Sequence, residues 1–410
     1  MKKVLAIGYV WPEPNSSAAG SHMLSLLRLF KRQGWEVEFA TPSQETEHMI
    51  DLSAEGITSK AIELNCDSFD EYITELQPNI VMFDRFMMEE QFGWRVERSC
   101  PTALKLLDTE DLQCLRNARH QAVKANRELT KADLYGDLAK REIAAILRCD
   151  LSLIISSYEM KLLVDEFKVD PSLIHHLPFM VDLNSLPQKT LNFEERQHFM
   201  TIGNFRHAPN WDAVLQLQQI WPKIRKQLPD AELHIYGSYP PPKATALHNP
   251  KTGFHIKGWA KDAEEVVESS RVCLAPLRFG AGIKGKLLDA MKVQTPSITS
   301  EIGSEGMLPN TDSVWPGAVE NDYDDFVAAA VELYTDKDKW LAAQSQCHGL
   351  LEECYEQDRL GNGLIEVLTG LDANLESHRL NNFVGSMLKH HTMTSTKYMS
   401  QWINEKNKHK

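Results

Sequence analysis

The sequence lacks the features that mark membrane, secreted and nucleic-acid-binding proteins. No apolar run approaches the roughly 20 residues that a membrane-spanning helix needs, and the short run near the start lacks a signal-peptide cleavage pattern. The seven cysteines are scattered without a C-x-x-C pair, which indicates neither a disulfide framework nor a zinc site. A formal charge of −13 is the opposite of what duplex nucleic acid requires. These absences favour a cytoplasmic protein with reduced thiols, no metal site and no nucleic-acid partner.

What is present is a long globular chain with an alternating pattern. At 410 residues, 42% hydrophobic and 25% charged, it can form two domains that each bury a core. Short apolar runs, typical of buried parallel strands, alternate with stretches of helical period. The runs are KVLAIGY (3–9), VEFAT (37–41), NIVMF (79–83), TALKLL (102–107), LSLIIS (151–156), HFMTIGN (198–204), ELHIYGS (232–238), FHIKG (254–258), VCLAP (272–276) and PSITS (296–300). This alternation predicts an α/β protein with two doubly wound, Rossmann-like parallel sheets.

A polar stretch without a clear period, LNSLPQKTLNFEERQ, separates the two groups of strands. It predicts a first domain over 1–183, a linker over 184–197 and a second domain over 198–370. Ligands of doubly wound sheets bind beyond the carboxyl ends of the strands, so we expect the functional site in a cleft between the domains.

The last segment, 371–410, differs in composition from the rest of the chain. It has six Lys and Arg against three Asp and Glu, together with aromatic residues such as Tyr398 and Trp402. One interpretation is a helix that docks onto the body of the protein. The other is a peripheral contact with phosphate groups, for example at the inner face of a membrane.

The stretch 276–307 contains the most informative motif. After the strand VCLAP comes a loop with Gly280 and Gly282, and a helix is predicted to begin near Ile283. Lys284 and Lys286 lie at this helix start, where the helix dipole disfavours cations. Lysines and unpaired backbone amides at one helix start suit a phosphate, which would contact residues 282, 283, 284 and 286.

Asp289 lies one helical turn beyond Lys286, on the same side of the predicted helix. A carboxylate at this depth can accept hydrogen bonds from both hydroxyl groups of a ribose. A surface ion pair between Lys286 and Asp289 explains the spacing equally well, and the residues alone leave both interpretations open.

Four segments follow one another in an order that points to a known family. The opening segment, 1–43, has a first strand, a small-residue loop (Ala18, Ala19, Gly20) and a first helix. LPFMVD (177–182), FMTIGNFRHAPNWDAV (199–214) and a G-x-G-x-K-x-K-x-x-acid signature within 276–307 come next. With these motifs the chain resembles the retaining glycosyltransferases of family 4 (glycosyl transferases group 1), which have the two-domain GT-B fold.

The resemblance implies transfer of a sugar, such as a hexose, from a nucleotide-sugar donor to a glycan, lipid-linked or small-molecule acceptor, with retained configuration. It implies no obligatory metal and no cofactor, because the helix start and its lysines would stabilise the leaving diphosphate. Arg206 and His207 stand near the place of the family's phosphate-binding Arg/Lys pair. The two glutamates that often contact the donor sugar and the ribose correspond here to Ala281 and Asp289.

The resemblance also aligns LLDTEDLQCLR (106–116) with a place where many members carry a histidine near the reacting sugar. Asp108 and Glu110 are therefore the catalytic candidates, since a carboxylate can stabilise an oxocarbenium-like sugar. A helix cap with acids at its start explains the same residues without a catalytic role. The remaining donor-site candidates lie in loops that follow strands: Gly20, Gly203, His207, Gly258 and Glu305.

Two other functions fit the same features. A nucleotide-sugar epimerase on this fold would bind the same diphosphate, and Ala281 fits a degenerate glycosyltransferase-like subunit that binds without turnover. A nicotinamide dehydrogenase is disfavoured, because the first βα loop, GYVWPEPNSSAAG, has no G-x-G-x-x-G.

Overall fold

Two parallel β-sheets with helices on their faces form the body of the computed structural model, which describes residues 1–310 and 313–408. The first sheet consists of seven strands: β1 (Lys3–Ile7), β2 (Glu36–Thr41), β3 (Thr58–Ala61), β4 (Ile80–Asp84), β5 (Leu104–Asp108), β6 (Leu151–Ile154) and β7 (Ile174–His176). Their order across the sheet is β3-β2-β1-β4-β5-β6-β7, with β1 and β4 side by side at the centre. Every residue of β4 and β5 is buried, as expected for strands covered on both faces.

The first domain has seven helices that connect or follow its strands: α1 (Ala18–Arg32), α2 (Ser68–Leu76), α3 (Arg85–Ser99), α4 (Gln113–Lys124), α5 (Lys131–Leu134), α6 (Asp137–Arg148) and α7 (Ser157–Asp165). The side chain of Ser17 caps α1 by accepting a hydrogen bond from the amide of Gly20 at 3.1 Å. Six leucine, methionine and phenylalanine side chains of α1 are buried, so this helix forms one side of the domain core.

The second sheet has six parallel strands: β8 (Gln197–Ile202), β9 (Leu233–Tyr236), β10 (Phe254–Gly258), β11 (Ser270–Ala275), β12 (Ser297–Thr299) and β13 (Gly317–Val319). They are arranged in the order β10-β9-β8-β11-β12-β13. The accompanying helices are α8 (Ala208–Gln227), α9 (Pro242–Thr245), α10 (Ala263–Glu268), α11 (Gly285–Lys292), α12 (Glu301–Ser304), α13 (Tyr323–Thr335) and α14 (Lys337–Tyr355). The prediction of two doubly wound α/β units is confirmed.

The C-terminal helices leave the second domain and return to the first. In α15 (Gln357–Ala373), Leu364 and Leu368 are fully buried in the core that α1 also lines. A Cβ at Gly361 would lie 2.8 Å from Leu29 Cδ1, so α15 and α1 pack closely. The expected boundary at 370 therefore falls inside a helix of the first domain's core, because the apolar face of α15 finds its partner there.

The tail continues over the first domain as α16 (Leu375–Asn381) and α17 (Phe383–Lys408), and α17 packs against α3 and α6. Arg379 donates to both carboxylate oxygens of buried Asp150 at 2.7 Å. Phe383 and Trp402 remain 74% and 60% exposed. The tail docks on the body, and the phosphate or membrane-surface contact stays a prediction. Among the described helices, none combines the length and the apolar character needed to cross a bilayer.

Candidate functional site

The loops that follow the strands of the two sheets meet in a cleft between the domains. The hydroxyl of Tyr239, after β9, donates to Glu13, after β1, at 3.2 Å. The imidazole of His48 stacks on Trp259 with ring centroids 4.0 Å apart. These contacts cross from one domain to the other, so the structure shows the cleft in a closed arrangement.

The close approach of the domains depends on glycines. A Cβ at Gly285, the first residue of α11, would lie 2.4 Å from the Cβ of Ala18 at the start of α1. A Cβ at Gly282, where φ is +61°, would lie 2.9 Å from the Cβ of Asp111. Real Cβ atoms essentially never come this close to another atom, so a larger residue at either position would push the domains apart.

The first domain contributes a group of buried acids to the cleft. Asp84 ends β4 and Asp108 ends β5, directly opposite each other in the register of these strands. Glu110 follows with a left-handed φ of 60°. Nε2 of His22 lies 3.5 Å from Asp108 Oδ1, and Nε of Arg85 lies 3.6 Å from Asp84 Oδ1. Within the described chain, Asp108 Oδ2 has no hydrogen-bond partner. The two catalytic candidates thus lie beside a third acid, Asp84.

Burial and mutual repulsion change the acidity of this group. Burial raises the pKa of Glu110 well above its usual 4.5, and the charge of Asp108 adds to the effect. Burial also raises the pKa of Asp84, where Arg85 acts in the opposite direction. Glu110 therefore holds its proton to a higher pH than an exposed glutamate does. Carboxyl groups with such perturbed acidity can exchange protons with a ligand.

The second domain contributes the start of α11, which begins at Gly285, two residues after the predicted Ile283. Its N-cap residue, Lys284, makes no side-chain capping bond, and no acidic residue lies in the first turn. The first amides of a helix have no partner within the helix, so they are available to an anion. Lys286 lies in this turn, and its charge helps to lower the pKa of His207 beside the cleft.

The two predicted lysines have different surroundings. Lys284 is buried, its Nζ donates to the carbonyl of Gly282 at 2.7 Å, and Glu305 lies near enough to favour its charge. Lys286 has no carboxylate within ion-pair distance in the described part of the chain, and burial lowers its pKa to about 8. Among the described residues, nearby carboxylates such as Glu305 favour the charge of Lys284, whereas none does so for Lys286.

Gly282 and Glu305 are held by the first domain in this closed arrangement. The amide of Gly282 donates to Glu159 on α7 at 2.7 Å. Arg119 on α4 donates to both carboxylate oxygens of Glu305 at 2.7 Å and to the carbonyl of Gly280 at 2.9 Å. A bidentate arginine–carboxylate pair has a defined geometry, so it fixes how the two domains meet. A donor contact at Gly282 or Glu305 stays a prediction.

Asp289 and Ile283 lie in unlike environments. Asp289 is partly exposed and pairs with Lys292 at 3.0 Å, instead of forming the alternative ion pair with Lys286. Ile283 is buried in an apolar cluster that includes Ile155 of the first domain. Its side chain therefore packs the interface, and only its backbone is available to a ligand.

Arg206 and His207 lie at the edge of the cleft, in the loop after β8. The guanidinium of Arg206 lies 3.6 Å from the centroid of the Tyr239 ring. Arg116 of the first domain lies 2.6 Å from Nε2 of His207. Desolvation and the positive charge of Arg116 together lower the pKa of His207 to about 4. A neutral His207 accepts this hydrogen bond and carries no charge for a phosphate.

The three remaining glycine candidates shape loops around the cleft. A Cβ at Gly20 would lie 2.5 Å from the backbone of Glu13, and one at Gly203 would lie 2.6 Å from Nδ2 of Asn210. Gly258 has a left-handed φ of +73°. Each position thus has a packing or conformational need for glycine, which is independent of a role with the donor.

Most of the second domain matches a known protein family. Residues 196–336 match the family model of the glycosyl transferases group 1. The match covers most of the second domain and about a third of the chain. No curated protein sequence matches the chain.

The fold of nearly the whole chain matches solved structures. S. aureus TarM, in a complex that contains UDP, matches with a TM-score of 0.69 at 9% identity, over 90% of this chain and 99% of its own. Sucrose-phosphate synthase from Thermosynechococcus elongatus matches with 0.68 at 14% identity, over 91% and 100%. Anabaena HepE, in complex with UDP and glucose, matches with 0.66 at 9% identity, over 90% and 100%. At these identities the likeness concerns the fold, and the chain has the GT-B fold.

Sequence reasoning missed Asp84, Arg119 and Glu159. Asp84 directly follows the predicted strand NIVMF. An acidic residue at the carboxyl end of a buried strand could have been recognised as a site candidate, because ligands of such sheets bind there. Arg119 and Glu159 lie within helices and carry no local signal. Their partners Glu305 and Gly282 are 186 and 123 residues away in the chain.

Proposed function

We propose that this group 1 glycosyltransferase-fold protein transfers a sugar from a nucleoside-diphosphate sugar to an acceptor in the cleft. The observation that carries the proposal is the start of α11. It offers helix amides without an acidic first turn, together with Lys286, which has no carboxylate partner among the described residues. Such a site suits the diphosphate of a donor.

The proposed reaction breaks the bond between the anomeric carbon and the diphosphate oxygen. Negative charge then grows on the leaving diphosphate, and the preorganised amides and Lys286 stabilise it. Since these groups supply the positive charge, we propose that the reaction needs no metal ion in the cleft. The complexes of TarM and HepE with UDP support a uridine nucleotide as the first donor to test. Asp289 is the proposed ribose contact.

The acids of the first domain act on the other side of the breaking bond. The sugar gains positive charge as the diphosphate leaves, and the Asp108 carboxylate at the end of β5 stabilises it. As the acceptor oxygen bonds to the anomeric carbon and the bond to the diphosphate breaks, the acceptor hydroxyl loses its proton to the ionised form of Glu110. We propose that the acceptor attacks from the face that the diphosphate leaves, so that configuration is retained.

Calorimetric titration with UDP tests the diphosphate site. Lys286→Ala is expected to weaken binding by about 10- to 100-fold, the worth of a charge-assisted hydrogen bond. Wild-type affinity should also fall as the pH rises above about 8, because Lys286, whose pKa is lowered to about 8, then loses its charge.

The matched control is Lys337→Ala. Lys337 also begins a helix, α14, but it is exposed and pairs with Glu194 outside the cleft. It should leave the affinity for UDP unchanged. Equal affinities of wild type and Lys286→Ala would contradict the proposed site.

Incubation with a panel of nucleotide sugars and acceptors separates the functions that share this site. Transfer predicts released nucleotide together with a glycosylated acceptor. Conversion of one nucleotide sugar into another would indicate an epimerase. Binding with neither product would favour the degenerate subunit that Ala281 fits, and would overturn the transferase proposal.

A further inference from the structure

A cluster of histidines lies away from the cleft, at the amino end of the second sheet. His198, His234 and His255 each occupy the second position of β8, β9 and β10, which are neighbours in the sheet. His234 and His255 are paired in register, and Glu232 comes just before β9. Side chains two residues apart share one face of a strand, so these four residues lie on the same side of the sheet.

The distances within this cluster resemble those between ligands of one metal ion. Ligand atoms of His198, Glu232 and His234 all lie within 4.8 Å of one another. Oε2 of Glu232 lies 2.8 Å from Nε2 of His234 and 3.4 Å from Nε2 of His255. Ligands at zinc-like bond lengths in a tetrahedron are about 3.3 Å apart, and the distances from Glu232 to His234 and His255 are already near this value.

The hydrogen bonding of the cluster leaves it open to an ion. Nε2 of His255 is buried and has no hydrogen-bond partner within the described residues. Nδ1 of His198 accepts the amide of Glu232 at 3.2 Å, a long contact that coordination would replace. Burial lowers the pKa of His198, His234 and His255, which favours the neutral form that metal ligands require.

We propose that His198, Glu232, His234 and His255 bind one divalent transition-metal ion, of the kind that imidazole ligands select, such as Zn²⁺ or Co²⁺. The ion joins three neighbouring strands, including the edge strand β10, and stabilises the second domain. Lys257 lies two residues after His255 on β10, and its positive charge so near the cluster opposes the binding of a cation.

Titration of the full-length protein with Co²⁺, followed by visible ligand-field absorption, tests the site. One equivalent should bind, and His234→Asn should weaken the affinity by at least about tenfold, as expected on loss of a ligand or its support. Glu232→Gln is the second loss variant, and Lys257→Gln should bind more tightly than wild type. His348→Asn, which removes an exposed histidine of α14, is the control and should bind as wild type does.

A second readout is thermal unfolding with and without Zn²⁺. An ion that binds the folded state raises the midpoint, and this increase should disappear in His234→Asn and persist in His348→Asn. The proposal is overturned if wild type binds no Co²⁺, or if neither His234→Asn nor Glu232→Gln weakens binding. Thiolate-to-cobalt charge-transfer absorption would also overturn it, since it would put the ion on a cysteine.

Discussion

The two sides of the cleft carry opposite chemistry. The first domain brings buried acids to the ends of β4 and β5, whereas the second brings a helix start and Lys286. A nucleoside-diphosphate sugar matches both, because its diphosphate is anionic and its sugar becomes positive as the bond breaks. The net charge of −13 therefore says little about the proposed ligand, which local charge in the cleft would recognise.

Removing the charge of Asp108 should have the largest effect on the rate of sugar transfer. Asp108→Asn keeps the shape of the side chain but removes the carboxylate proposed to face the sugar, so we expect turnover to fall by at least about 100-fold. The affinity for UDP should stay unchanged. Measured rates of sugar transfer check this, with Asp338→Asn, at an exposed position of α14, as the control. A rate near that of wild type would indicate that Asp108 has only a structural role.

Adding a methyl group at Gly285 should push the two sides of the cleft apart. Its Cβ would lie 2.4 Å from that of Ala18, and overpacking of this kind costs about 1–3 kcal/mol. We expect Gly285→Ala to weaken UDP binding by about tenfold and to give a larger radius of gyration than wild type in small-angle X-ray scattering, because the domains are held further apart. Gly349→Ala, at a helical glycine with open space around it, is the matched control. An affinity for UDP and a radius of gyration equal to those of wild type would show that binding does not need this close contact.

Asp289→Asn should have the smallest effect. A ribose contact predicts a loss of about two- to tenfold, the worth of one hydrogen bond. The sharper readout is the ratio of affinities for UDP and 2′-deoxy-UDP, which should shrink in the variant. Glu332→Gln, which removes an exposed carboxylate paired with Lys339, is the control. An unchanged ratio would leave Asp289 as the ion-pair partner of Lys292.

Much of the fold could be predicted from the sequence, because buried parallel strands leave apolar runs that are visible locally. Ten of the thirteen described strands were recognised in this way, whereas short β7 and β13 and exposed β3 carry no such run. The return of α15 to the first domain was missed, since nothing in its apolar period tells which core it will enter.

The candidate site was predictable only in part. The lysines at the start of α11 form a local motif, yet only packing distinguishes Lys284, held by its own loop, from Lys286. Likewise, Glu305 shows no sign in the sequence of its pairing with Arg119 across the cleft. Partners distant in the chain leave no local pattern.

We propose that the second domain binds the diphosphate and that the acids of the first domain act on the sugar. The most direct test of this division of roles is the affinity for UDP of Lys286→Ala and Asp108→Asn, titrated side by side. The account predicts that Lys286→Ala binds UDP about 10- to 100-fold more weakly than wild type, while Asp108→Asn binds it as wild type does. Wild-type affinity in Lys286→Ala, or an equal loss in both variants, would contradict it.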